Sequence, residues 1–299
     1  MSQDSAGREA GGTALTPTTN ALAYRIPIGE ATVWALCDGY LEIGPDLLQG
    51  VEAEDFDTLL DTGFISARPN PSGVNAFLVE SGGKRTLIDS GAGSTMGPTL
   101  GRVPAALDAL GVALDSIDAV VATHLHPDHI GGLAGMDLPG AGLIVAGADV
   151  DFWTAEATKA QAPADFHPFF DLATSVVSSF GDRVQTISGG TDVGPGLTAV
   201  SLPGHTPGHM GVMVESAGTQ LLIWADIVHV APVQLARPDV TIAFDGDPDA
   251  ARATRLSLLD QVATDRTLVA GSHIAFPGCG HLERSGDGYR FVPMSYPYT

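Results

Sequence analysis

Residues 123–129 read Thr-His-Leu-His-Pro-Asp-His, which places four potential metal ligands, His124, His126, Asp128 and His129, within six positions. Neutral imidazole and carboxylate suit zinc and other first-row divalent ions, so the chemistry in view is that of a bound metal. Three more ligand types stand at the ends of apolar runs. His205 follows Leu197–Leu202 through Pro203-Gly204, Asp226 ends Leu221–Ala225, and His273 ends Leu268–Ser272. A lone histidine after a strand is usually a surface residue. The recurrence points to convergence on one rim.

The elements that must position these residues are legible as alternating patterns. The ligand loop follows Ala119-Val120-Val121-Ala122, a buried-strand pattern, and open α/β folds place their sites at strand carboxyl ends. Alternation over 23–45 predicts strand, and 52–62 predicts a short helix or loop. Residues 75–80 and 85–89 flank Ser81-Gly82-Gly83-Lys84 as a hairpin. A helix is expected over 99–111, with Leu100, Val103, Leu107 and Leu110 near one face. A strand follows at 143–146. Residues 149–181, rich in Phe and Trp, predict helical insertions over the site. Strands are expected at 196–202, 211–215 and 220–225, then a helix over 248–263 burying Leu256 and Leu259, then a strand at 267–270. The Pro- and Tyr-rich tail from Tyr289 to Thr299 predicts an extended arm.

Composition narrows the partners. A formal charge of −21 repels a phosphate backbone and an anionic membrane but attracts metal cations, so neither nucleic acid nor membrane is an expected partner. Cys37 and Cys279 form no C-x-x-C pair, which removes zinc-thiolate and redox-motif readings. Both read as free, partly buried thiols, and whether they meet in space is left open. Residues 1–20 lack the apolar core of a signal peptide and read as a flexible tail. That places the chain in the cytoplasm unless a leader preceded this numbering.

The motif His124-x-His126-x-Asp128-His129, with His205, Asp226 and His273, resembles the metallo-β-lactamase superfamily over about residues 30–282. The resemblance implies an α/β fold, the αββα sandwich of two mixed sheets flanked by helices. It implies one such domain over 21–299, with the aromatic-rich insertion at 149–181. It assigns His124, His126 and His205 to a first metal and Asp128, His129 and His273 to a second. Asp226 and a water or hydroxide would bridge the two. Asp89 matches a position that supports the metal loop, beside the plainer reading of a turn carboxylate. His209, four residues after His205, reads as a packing or supporting residue, since the ligand set is complete without it.

Such a pair of ions shares a water whose pKa falls toward neutrality, and the hydroxide attacks a carbonyl or phosphoryl centre. The ions would be two Zn²⁺, with Mn²⁺, Co²⁺ or Fe²⁺ accepting the same donors. Asp226-Ile227-Val228-His229 and Phe276-Pro277-Gly278-Cys279-Gly280-His281 look most similar to the methyl parathion hydrolase branch, as do Tyr24-Arg25-Ile26-Pro27 and Cys37-Asp38-Gly39-Tyr40. His229 stands where N-acyl homoserine lactone lactonases carry a substrate-binding tyrosine. That branch implies a homodimer and small neutral substrates: lactones, aryl esters or organophosphate triesters. Asp128, Asp226 and His229 are then the catalytic candidates, and Phe152, Trp153 and Phe170 the candidate pocket lining. The alternatives within the superfamily are a glyoxalase II-type thioesterase and a mononuclear-iron persulfide dioxygenase using His124, His205 and Asp226. A true β-lactamase fits less well, because many of those carry Cys at the Asp128 position. A non-catalytic binding protein would not need the full ligand set.

Overall fold

The computed structural model describes residues 21–297, so the tail expected over 1–20 lies outside the described residues. Two seven-stranded mixed sheets stack face to face. The first runs, edge to edge, Ala23–Ile28, Ala31–Ile43, Asn70–Ser81, Lys84–Ile88, Ala119–Ala122, Gly142–Ala146 and Val184–Ile187. Its first four strands pair antiparallel and its last four pair parallel. The second runs Gly288–Pro293, Cys279–Ser285, Leu268–Gly271, Thr219–Ala225, Met210–Ser216, Leu197–Ser201 and Asp192–Gly194. Its single parallel pair joins Thr219–Ala225 to Leu268–Gly271.

Period-two alternation explains the layers. In the first sheet, Ile26, Val33, Phe77, Ile88 and Val121 point inward and meet Val212, Val214, Leu221, Ile223 and Ala270 of the second. Their chain neighbours point outward. Leu78, Leu87, Val120, Leu143 and Val145 pack under the helices Val103–Ala109 and His167–Phe180. On the far side, Leu222, Trp224 and Val269 pack against Leu258, Leu259 and Val262 of the helix Pro248–Asp265. The result is helix, sheet, sheet, helix. It is the α/β sandwich expected from the motif.

Several local expectations are corrected. The alternating stretch over 23–45 is two strands, broken where Gly29 turns with φ +56°. The helix expected over 99–111 covers only Val103–Ala109, because Gly101 at φ +88° holds the preceding segment out of helical geometry. Leu256 is 44% exposed, whereas Leu259 is buried. At about 100° per residue Leu256 lies roughly 160° from Leu258, outside the buried stripe, whereas Leu259 sits at the edge of the stripe it forms with Leu258 and Val262. Of the arm expected over 289–299, the part to Pro293 belongs to the strand Gly288–Pro293, which pairs antiparallel with Cys279–Ser285, and residues 298–299 lie outside the described residues. Both cysteines are free. No helix among the described residues is long and apolar enough to cross a membrane.

Candidate metal centre

Strand ends deliver the candidate ligands to one rim. Ala119–Ala122 leads into Thr123 and His124, and Pro127 opens the short helix Pro127–Ile130 that carries Asp128 and His129. Proline suits a first helical turn, where its missing N–H is not needed. Thr219–Ala225 ends at Ala225, whose φ of +50° is rare for a residue with a Cβ and turns the chain at Asp226. His205 follows Gly204 at φ +129°, where a Cβ would sit 2.1 Å from the Ala251 nitrogen, so only glycine allows the loop to pass the helix Pro248–Asp265.

The seven side chains form two groups that meet at Asp226. His124, His126, His205 and Asp226 bring one donor atom each within 4.8 Å of one another, and so do Asp128, His129 and His273. In the first group, His126 Nδ1 lies 3.0 Å from both His124 Nε2 and His205 Nε2. Asp226 Oδ2 lies 3.3 Å from His205 Nε2 and 3.6 Å from His124 Nε2. In the second, Asp128 Oδ2 lies 3.5 Å from His129 Nε2 and 3.4 Å from His273 Nε2. Asp226 Oδ1 approaches His129 Nε2 at 3.2 Å. A tetrahedral ion with bonds of about 2.0–2.1 Å separates its ligand atoms by roughly 3.3 Å, so both groups have the right aperture.

The outer nitrogens fix which way each ring faces. His129 Nδ1 bonds Asp89 Oδ2 at 2.8 Å, His205 Nδ1 bonds Asp245 Oδ1 at 2.8 Å, and His273 Nδ1 bonds the Gly73 carbonyl at 2.8 Å. His124 Nδ1 lies 3.1 Å from the Thr123 hydroxyl, which donates to Asp89. Each acceptor holds an N–H outward and leaves the Nε2 lone pair facing the cluster, as metal-bound imidazole requires. His129 Nε2 and Asp226 Oδ1 are buried with no hydrogen-bond partner. Orphaned buried atoms of this kind call for a ligand.

The charge balance agrees. Burial works to raise the Asp128 and Asp226 carboxyls, but the surrounding histidines overcome it and hold both below the usual carboxylate range. Burial likewise opposes charge on His129 and His205. The carboxylates Asp226, Asp128 and Asp89 nonetheless push His129 up, and Asp226 and Asp245 push His205 up to about 9. Burial and crowding by their neighbours drive His124 and His126 well down. The carboxylates are thus balanced by imidazole protons, and divalent cations would take the place of those protons.

The other expected residues fall into place differently. Asp89, at φ +57°, accepts from His129 and from the Thr123 N–H and hydroxyl, so it ties the ligand loop down. His229 joins the cluster, with Nε2 3.2 Å from Asp226 Oδ2 and its ring stacked on His273 at 4.8 Å. His209 stands behind Asp226 and offers no nitrogen to either group.

A cavity of about 100 Å³ opens over Asp128, Asp226, His229 and His273. Its walls are Leu41, Ile43, Leu47, Met96, Phe166, Phe169 and Phe244, with Glu42 as the one carboxylate outside the metal cluster. Phe152, Trp153 and Phe170 are not among them, which corrects the expected pocket. They pack on one another and into the layer between the first sheet and its helices. Trp153 touches the site only from behind, edge-on to His126 at 5.2 Å.

Sequence reasoning missed three buried polar residues. Asp149 accepts from the Leu125 N–H at 3.0 Å and the Gly208 N–H at 2.7 Å, bridging the two ligand loops. Its position just after the apolar run 143–146 was the available signal. Asp245 orients His205, and Arg255, 1% exposed, stands behind Asp245. Both sit in segments that read as loop and surface helix.

Known proteins are consistent with this geometry. The solved structure of hydrolase AbOPH, described as belonging to the β-lactamase superfamily, superposes with a TM-score of 0.88 at 30% identity, covering 93% of this chain and 99% of that one. AidC, described as a dizinc quorum-quenching lactonase in complex with a product, superposes at 0.86 with 24% identity, covering 93% and 100%. Among curated proteins, the anti-Pycsar protein Apyc1 of Bacillus phage 010DV004 is 50% identical over 60 residues, a match spanning 20% of this chain and 20% of that protein. The family model of the metallo-β-lactamase superfamily matches residues 69–273, and the chain belongs to that superfamily.

Proposed function

We propose that the chain is a hydrolase working with two divalent ions on small, neutral, apolar substrates: a lactone by preference, with aryl esters and organophosphate triesters as side substrates. The observation that carries this is Asp226, set between two donor groups on the floor of an apolar cavity. His124, His126 and His205 would hold one ion, Asp128, His129 and His273 the other, and Asp226 both. When bound, such a pair supplies a water ionised near neutral pH and a Lewis acid for the substrate oxygen, with Zn²⁺ the first candidate.

The chain's own residues supply positioning. Phe166, Phe169 and Phe244 bind the apolar part of the substrate and exclude water. His229 is kept neutral, because burial outweighs Asp226 and brings it down to about 4. Its backbone is locked by the Gln234 side-chain oxygen, which accepts its N–H, and by the Ser72 hydroxyl, which donates to its carbonyl. A neutral, fixed imidazole on the cavity floor can hydrogen-bond a substrate oxygen, the role that the tyrosine at this position plays in N-acyl homoserine lactone lactonases. Asp128, ionised and lining the cavity, is placed to take the proton of the attacking water and pass it to the leaving oxygen as that group departs. With Lys84 engaged by Asp118 and Lys159 by Asp171, no lysine lines the cavity to clamp an anion, which favours neutral substrates.

The test is metal analysis of fresh protein coupled to a panel of a lactone, an aryl ester, a phosphotriester, a glutathione thioester and a cephalosporin. The reading expects about two ions per chain and turnover of the first three classes. Two bound ions with none of those three hydrolysed would overturn the substrate assignment. About one iron per chain, with oxygen consumed on a thiol persulfide, would replace it with the dioxygenase.

A further inference from the structure

We infer that Arg255 is a positioning residue for the first metal group, acting through Asp245 and through the segment that carries Asp226 and His229. This rests on the two-metal reading above. Arg255 lies on the inner face of the helix Pro248–Asp265 and is 1% exposed. A guanidinium so deeply buried needs its donors satisfied. Its Nε donates to the Ile227 carbonyl at 2.7 Å, the residue directly after Asp226. Its Nη1 donates to the carbonyls of Val240 at 2.6 Å and Pro238 at 3.2 Å. Its Nη2 faces Asp245 Oδ2 at 3.6 Å.

Each contact leads to the site. Asp245 holds His205 Nδ1 at 2.8 Å and accepts the Ile242 N–H at 3.2 Å. The Val240 carbonyl also accepts from Gln234 Nε2, whose oxygen takes the N–H groups of His229 and Val230. One side chain therefore ties together three segments, 226–230, 238–245 and the helix. Through them it sets the imidazole of His205 and the backbone just after Asp226 and at His229. Asp128, His129 and His273 make no hydrogen bond to Arg255 or Asp245; His129 and His273 meet this network only at Asp226 and His229, and their outer nitrogens are held elsewhere, by Asp89 and Gly73. The guanidinium fork is what the arrangement uses, because lysine offers a single point of donation. The consequence is selective: loss of Arg255 weakens the ion held by His124, His126 and His205 more than the ion held by Asp128, His129 and His273.

The test compares wild type, Arg255→Met, Arg255→Lys, Asp245→Asn and the double variant Arg255→Met/Asp245→Asn. Metal-stripped protein is titrated with Zn²⁺ against a chromophoric chelator, and Co²⁺ uptake is followed by its visible absorption, with circular dichroism as the check on folding. The expected result is a roughly 10–100-fold loss of affinity at one of two sites, the size typical for groups that orient a metal ligand. The other site should stay within about threefold, and the double variant should lose little more than the worse single. Equal loss at both sites, multiplicative loss in the double variant, or no loss overturns the inference. If Arg255→Met does not fold, Arg255→Lys, which keeps the charge and loses the fork, is read by the same criteria. Wild type binding two ions while the folded variants bind both as tightly defeats this inference alone. Wild type binding none defeats the two-metal reading and this inference with it.

Discussion

The backbone N–H of Asp226 donates to Nε2 of His209 at 3.1 Å, and Nδ1 of His209 bonds the Leu202 carbonyl at 2.7 Å. This pair of contacts fixes the tautomer: Nδ1 carries the proton and Nε2 accepts. Burial, with His205 adding to it, brings His209 down to about 3, so the ring stays neutral. His209 thus spends both nitrogens on backbone and has none for a metal. It sets the start of the segment bearing Asp226.

His209→Ala and His205→Ala should therefore fail differently. His209→Ala strands a buried N–H and a buried carbonyl, each worth about 1–3 kcal/mol when unsatisfied, so thermal stability drops. Its metal stoichiometry should hold near wild type. His205→Ala removes a donor and should lose about one ion per chain. Metal analysis and thermal melts on both variants decide the matter. Loss of an ion from His209→Ala at unchanged stability would make it a ligand after all.

Much of the candidate cluster was legible because its residues are contiguous or stand directly after apolar strands. His124 to His129 could be found without knowing the fold. Asp149, Asp245 and Arg255 could not, since each acts on residues far away in sequence, such as Asp149 on Gly208. The aromatic residues failed for a different reason. Phe166 and Phe169 are three apart and share the cavity side, while Phe170, one position on, faces the core with Ala173, Val176 and Phe180. Composition flagged the segment as aromatic, but only the rotation of the helix tells pocket from core. Individual strands were legible from their apolar patterns, whereas the two-sheet layering came from the family resemblance, and the Gly29 and Gly101 breaks were lost because turns depend on tertiary contacts such as Gly29 with Ser216.

Asp89→Asn should weaken metal binding without removing a ligand. The amide can still accept the Thr123 N–H, but it no longer offers a carboxylate to His129 Nδ1. Loss of such a partner costs on the order of 10–100-fold in metal affinity. The change should fall chiefly on the ion held by His129, which Asp89 contacts directly, and less on the one held by His124, which it reaches only through Thr123, the opposite selectivity to Arg255→Met. Chelator competition measures it, and an unchanged affinity at both sites would return Asp89 to a purely structural turn.

The corrected pocket makes a paired prediction. Phe244→Ala opens the cavity wall and should lower kcat/KM for an apolar substrate about tenfold, chiefly through KM, with little change in melting temperature. Phe170→Ala removes a buried ring, 3% exposed, from the helix–sheet layer and should cost about 3–5 kcal/mol of stability, with KM unchanged in the folded fraction. Steady-state kinetics and denaturant titration on the two proteins separate the roles. A KM effect from Phe170→Ala would restore the sequence-based pocket.

Cys279 links stability to pH. It is 2% exposed, and burial pushes its thiol up to about 12 from an ordinary value near 9. The folded chain therefore binds this proton more tightly than the unfolded chain does. Below about pH 9 both forms carry the proton and stability is unaffected. Between about pH 9 and 12 the unfolded thiol ionises first, so stability falls as pH rises. Cys279→Ala should remove that component while creating only a small void beside Met294, whose sulfur lies 3.9 Å from the thiol. Melting temperatures measured from pH 8 to 10.5 should decline more steeply for wild type than for Cys279→Ala. The same burial should keep Cys279 unreactive toward iodoacetamide at pH 8 in folded protein and free it on unfolding. Parallel melting curves for the two proteins, or rapid labelling of Cys279 in the native state, would show that the thiol is not held in a closed apolar site.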